Sequence, residues 1–139
     1  MLRYFFLVAV LLFLSVACTS AKKETQVYLL RHAEKAQSPT DDPPLTEKGK
    51  RRAAQLLEIL EADSIHALYS TDYQRTRATL EPISEQYKLP INIYEAHDYQ
   101  GLAQQIKSNH SGQIVVVSGH SNTILPIIEA LGASPPIDS

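Results

Sequence analysis

The sequence has 139 residues, with 13 Lys+Arg against 15 Asp+Glu for a formal net charge of −2. That is room for one domain, and the mild acidity denies it the basic stripe that non-specific nucleic-acid binding needs. At 44% apolar and 20% charged residues the chain is too apolar to be disordered, and a single cysteine excludes an internal disulfide framework or a cysteine-rich zinc site.

The first element is an address. Arg3 supplies a short positive region, and residues 5–14 form an unbroken apolar run. Crossing a membrane takes about 20 such residues, whereas a signal-peptide core takes about 7–15. Residues 1–17 are therefore expected to be a signal peptide. Leu14-Ser15-Val16-Ala17-Cys18 resembles a bacterial lipobox, with Ser15 standing where a large aliphatic residue is usual. The resemblance implies acylation of Cys18, a tether over residues 18–25, and a protein held to the membrane on its extracytoplasmic side. An ordinary cleaved signal is the alternative.

From residue 26 onward, short β-rich runs alternate with longer helical patterns, the mark of βα units and a mainly parallel sheet. Residues 26–30 read as a strand. Residues 47–63 read as a helix, capped by Thr46, with Ala53, Leu56, Leu57 and Leu60 recurring at helical spacing. A strand over 65–69 is followed by Thr71 and Gln74, spaced as a capping box, opening a helix to about Tyr87 that Pro82 should kink or restart. A third strand covers 91–94, and a helix over 98–108 places Leu102, Ala103 and Ile106 on one face. Residues 109–112 form a turn. Residues 114–117 are a β-branched run of the kind buried on both sheet faces. A last helix, 122–131, holds Pro126 in its first turn and ends at Gly132.

Two strings interrupt this pattern at equivalent places. Arg31-His32-Ala33-Glu34 follows the first strand, and Gly119-His120-Ser121-Asn122 follows the apolar strand. Ligands of open parallel sheets bind at the carboxyl ends of strands, so both histidines fall on the functional edge. One histidine after a strand is commonly a satisfied turn residue; two in such settings point to a site. A third string, residues 70–77, sets Arg75 on a first helical turn, where side chain and helix N-terminus both face an anion. Arg77 falls elsewhere on the helix and reads as solvated.

Together these residues resemble the histidine phosphatase superfamily, also called phosphoglycerate mutase-like. Arg31-His32-Ala33-Glu34-Lys35 is similar to its Arg-His-x-Glu motif, and Asp42-Pro43-Pro44-Leu45-Thr46-Glu47-Lys48-Gly49 to its Leu-Thr-x-x-Gly segment leading into the first helix. Ser70 to Thr79 is similar to its Ser-x-x-x-x-Arg-x-x-x-Thr stretch, and Gly119-His120-Ser121-Asn122 to its second histidine motif. The resemblance runs from Val27 to the C-terminus. It implies a three-layer α/β/α domain over 26–139 and a phosphatase that forms a covalent phosphohistidine on His32. The second ring nitrogen of His32 should then donate to a backbone carbonyl. Arg31, Arg75 and a protonated His120 would cradle the phosphoryl group, with Ser121 also binding substrate, and no metal or other cofactor is called for. The general acid is Glu95, with Asp98 as the alternative unless it only caps a helix; Glu34 reads as structural.

Expected partners are a small phosphorylated substrate or a phosphoprotein, and the oligomeric state is not readable. His32, His66, His97, His110 and His120 contain no His-Glu-x-x-His pair, which argues against a metal hydrolase. A phosphoglycerate-type mutase and a non-catalytic, lipid-anchored phosphate-binding protein are the competing readings. Family domains continue past the last helix into another strand. Here the chain stops at Ser139, so a natural short form and a shortened sequence both stay open.

Overall fold

The computed structural model describes residues 23–60 and 64–134. The signal peptide, Cys18, the end of the first helix pattern at 61–63 and the tail at 135–139 lie outside the described residues.

Among the described residues eight elements alternate: β1 (Gln26–Arg31), α1 (Glu47–Ile59), β2 (Ala67–Ser70), α2 (Gln74–Tyr87), β3 (Ile91–Ile93), α3 (Tyr99–Asn109), β4 (Ile114–Gly119) and α4 (Ile124–Leu131). The strands form one sheet in the order β1-β4-β2-β3, every pair parallel. Val115, Val116 and Val117 of the central strand are wholly buried because their side chains feed two cores in alternation. Val115 and Val117 pack with Leu102, Ile106 and Ile127 from α3 and α4. Val116 packs on the other face with Leu60 and with Leu80 and Ile83 from α2. Helices thus cover both faces, giving the three layers of the expected fold.

The caps account for most of the boundaries. Thr46 caps α1 as expected, its hydroxyl accepting from Gly49 N–H at 3.0 Å. The capping box at Thr71 and Gln74 does not form. Gln74 N–H donates instead to both carboxylate oxygens of Asp42, at 2.9 and 3.2 Å, because an anion brought in by the loop between β1 and α1 answers the helix N-terminus better than a local hydroxyl. Pro82 neither stops nor restarts α2. Burial of Leu80 and Ile83 beside it outweighs the one backbone bond that proline cannot make. The last helix begins at Ile124, two residues later than its sequence pattern, because residues 121–123 form a turn. Gly132 closes it at φ 90°, a conformation open to glycine.

Sheet order places the site. The first and last strands are neighbours, with Arg31 level with Gly119, and Ser70 at the end of β2 is level with Ser118. His32 N–H continues the ladder to Gly119 C=O at 3.1 Å. The two histidine strings and the Arg75 string therefore leave the same sheet edge side by side. The first turn of α1 abuts the first string so closely that a Cβ on Gly49 would sit 2.4 Å from Glu34 C=O, which restricts that position to glycine.

Candidate active site

His32 is half-buried, and its Nδ1 lies 2.7 Å from Ala33 C=O. A carbonyl only accepts, so Nδ1 carries the proton and Nε2 keeps its lone pair. Ala33 is itself held, its N–H donating to Thr79 Oγ1 at 2.9 Å while the Thr79 hydroxyl donates to Arg75 C=O at 2.7 Å. Burial lowers the proton affinity of His32, the Ala33 bond opposes that, and the cations Arg75, Arg31 and Lys35 lower it further.

His120 stands beside it, the two rings edge-on with centroids 5.5 Å apart. Its Nε2 is 3.0 Å from Thr71 Oγ1, and that buried hydroxyl is 2.9 Å from Thr76 Oγ1. Thr123 fixes the backbone: its Oγ1 accepts from His120 N–H at 2.9 Å and donates to His120 C=O at 3.0 Å. Burial first, then Arg75, His32 and His97, push the His120 pKa down to about 4. The resemblance implies an imidazolium at His120, whereas this environment favours the neutral ring.

Arg75 is the hub. Its side chain is only 12% exposed, and one terminal nitrogen faces Asp42 Oδ1 at 3.5 Å and Asp41 C=O at 3.4 Å. The guanidinium lies 4.3 Å over the Tyr73 ring, which meets His120 edge-on at 5.1 Å. Arg75 Nε is buried without a hydrogen-bond partner. A buried donor left unmet in an otherwise ordered arginine is a place for a ligand oxygen.

The other candidates separate clearly. Arg31 is exposed and lines a cavity of about 350 Å³ beside His32. Ser121 is exposed at the start of the turn after Gly119-His120. Asp98 caps α3, accepting from Gly101 N–H at 2.9 Å, which is the structural role its position suggested. Glu95 is exposed. Glu34 takes Arg52 at 3.1 Å and Lys48 at 3.7 Å, while Arg77 pairs with Asp72. His66 and His110 sit at the opposite end of the sheet: His66 Nδ1 accepts from Ile114 N–H, and His110 bonds Tyr69 and Gln113. Among the described residues no three His, Cys, Asp or Glu side chains are placed to hold a metal ion.

The sequence reading gave Thr71 only a capping role, quoted Thr79 and Asp42 only within motif strings, and gave no site role to Tyr73 or Thr123. One signal was available. Threonines at 71, 76 and 79 crowd the start of a helix they do not favour, and such hydroxyls, once buried, must find partners.

This pair of histidines at the end of a parallel sheet, facing a buried arginine, defines a class. The family model of the histidine phosphatase superfamily (branch 1) matches residues 27–97, and the chain belongs to that superfamily. It is 39% identical over 66 residues to the probable phosphoglycerate mutase GpmB of Cronobacter sakazakii, a match covering 43% of this chain and 31% of the relative, so the chain spans about a third of the relative's length. Among solved structures, YhfR of Bacillus stearothermophilus superposes with a TM-score of 0.67 at 22% identity, over 81% of this chain and 82% of that one. The protein histidine phosphatase SixA, bound to tungstate, superposes with a TM-score of 0.66 at 22% identity, over 82% of each chain. Both share the fold.

Proposed function

We propose that the protein is a phosphatase that hydrolyses phosphomonoesters or phosphohistidine through a covalent phosphohistidine on His32, without a metal ion. The observation that carries this reading is the 2.7 Å bond from His32 Nδ1 to Ala33 C=O, which leaves Nε2 unprotonated beside the cations Arg75, Arg31 and Lys35. In the first step the Nε2 lone pair attacks phosphorus and the bond to the leaving group breaks. In the second, water attacks phosphorus, the P–Nε2 bond breaks, and phosphate departs with His32 restored. Arg75, through its unpartnered Nε, and Arg31 meet the non-bridging oxygens. A phosphate dianion next to His120 opposes the cationic field that keeps it neutral, so the imidazolium forms with the ligand rather than before it.

The deciding experiment is rapid quench with a ³²P-labelled aryl phosphate. The wild type should show an acid-labile, base-stable phosphoenzyme and His32→Ala none, with turnover lower by several powers of ten. Comparable turnover in the variant would refute the covalent route, and activity abolished by EDTA would refute the metal-free one. The leader adds a proposal about place: a lipoprotein acylated at Cys18 and anchored outside the cytoplasm. Its test is the mass of the N-terminal peptide from the membrane fraction.

A further inference from the structure

The surroundings of Arg75 select which of its edges meets a phosphoryl group. A guanidinium holds all its N–H donors in one plane, so its contacts decide where a ligand oxygen can approach. The Nη1 end is turned to Asp42 Oδ1 at 3.5 Å and to Asp41 C=O at 3.4 Å. The Tyr73 ring covers the guanidinium carbon, its centroid 4.3 Å away. What remains is the edge of Nε–H and the neighbouring Nη2–H, and Nε is the buried donor with no partner. Two parallel donors on one edge suit two oxygens of one tetrahedral group.

Asp42 holds one end of the guanidinium, and a contact at one end leaves the group free to turn about it. Tyr73 stops that turn. Its N–H donates to Thr71 C=O at 2.9 Å, and its C=O accepts from Arg77 N–H at 3.1 Å and from the Thr76 hydroxyl at 2.9 Å. Its half-buried ring is braced by His120, edge-on at 5.1 Å, and His120 is itself tied to Thr71 and Thr123. The ring therefore leaves Arg75 only by displacing the second histidine.

We infer that Tyr73 is a positioning residue, whose ring holds Arg75 so that the Nε edge, and not the Nη1 end, meets the oxygens of the transferred group. The inference rests on the phosphatase reading for the identity of that group.

Binding and turnover test it separately on the full chain. Vanadate is titrated while the Arg75 Nε–H resonance, assigned by its loss in Arg75→Lys, is followed by ¹⁵N NMR. In the wild type vanadate should move that resonance and slow its exchange with water. Tyr73→Leu should weaken vanadate about tenfold but inorganic phosphate about threefold or less, because a five-coordinate vanadium asks for aligned donors. On an aryl phosphate its kcat should fall about tenfold with KM changed less. Tyr73→Phe keeps the π face and should recover most of each loss. Tyr73→Met, also without a π face, replaces the leucine variant if that one does not fold. An Nε–H that vanadate leaves unmoved in the wild type overturns the inference. So does a leucine or methionine variant that matches the wild type, or a phenylalanine variant that loses as much as they do. If vanadate moves Nε–H and Tyr73→Leu weakens it, yet no aryl phosphate is hydrolysed, the phosphatase reading fails and the positioning stands. If a phosphoenzyme forms while Tyr73→Leu changes nothing, the positioning fails alone. If vanadate does not bind at all, both fall.

Discussion

Asp42 performs two tasks that a pair of substitutions separates. Its carboxylate caps α2 through Gln74 N–H at 2.9 and 3.2 Å, and it stands 3.5 Å from a terminal nitrogen of Arg75. Alanine removes both contacts. Asparagine keeps a capping oxygen of similar quality and removes only the charge. Loss of a side-chain cap costs about 1 kcal/mol, within a range of about 0.5–2, and a partly exposed pair to Arg75 adds less than about 1. Asp42→Ala should therefore lose about 1–2 kcal/mol, a fall in Tm of about 4–8 °C or somewhat more for a domain of this size. Asp42→Asn should lose less than about half of that.

At the site the two variants should behave alike, because both withdraw the same anion from Arg75. Anionic ligands then meet less competition and KM falls. The guanidinium keeps Tyr73 and the Asp41 carbonyl but loses the carboxylate that orients it, so kcat falls by about three- to tenfold. Circular dichroism melts beside steady-state kinetics on an aryl phosphate read both effects. If Asp42→Asn melts as low as Asp42→Ala, the carboxylate is not acting as a cap. If Asp42→Asn keeps the wild-type kcat, it is not orienting Arg75.

Three further outcomes follow from the same geometry. His120 should titrate near pH 4 in histidine NMR spectra of the free protein and move upward with bound vanadate; since the unfolded chain binds that proton near the ordinary value of 6.5, stability should fall as pH drops from 6.5 towards 4. Arg75→Ala should raise the pKa of both histidines and weaken vanadate binding, with poor rescue by Arg75→Lys, whereas Arg77→Ala, which loses only an exposed pair with Asp72, should stay within about twofold of wild-type kinetics. Thr79→Val should leave Ala33 N–H unmet and lower kcat with little change in KM, and Thr79→Ser should restore it; equal kinetics in Val and Ser variants would remove Thr79 from the positioning of His32.

Most of the fold was legible because it rests on local patterns. The β-branched run at 114–117 could only be a buried strand, and the spacing of Ala53, Leu56 and Leu60 could only be helical. The paired histidines were legible for a related reason: each follows a strand directly, and parallel topology sends all such residues to one edge. What failed was chemistry decided by distant partners. The cap of α2 comes from Asp42, on the other side of α1, and no local rule finds it. Thr71 had the spacing of a cap but is buried under His120, where its hydroxyl serves the imidazole. The pull of burial and Arg75 on the His120 ring comes from elements distant in sequence, and no local pattern shows it.

The electrostatics of the two rings fit one purpose. A histidine nucleophile has to be unprotonated, and the cations that hold a phosphate favour that state. Here burial and Arg75 act on both rings together, so the feature that attracts the phosphoryl group also keeps the His32 lone pair free near neutral pH. Ala33 completes the arrangement: its carbonyl takes the Nδ1 proton, and its amide is tied through Thr79 to the carbonyl of Arg75. Nucleophile and arginine are thus joined through one threonine, and a shift of α2 large enough to move the cradle must carry the nucleophile loop with it.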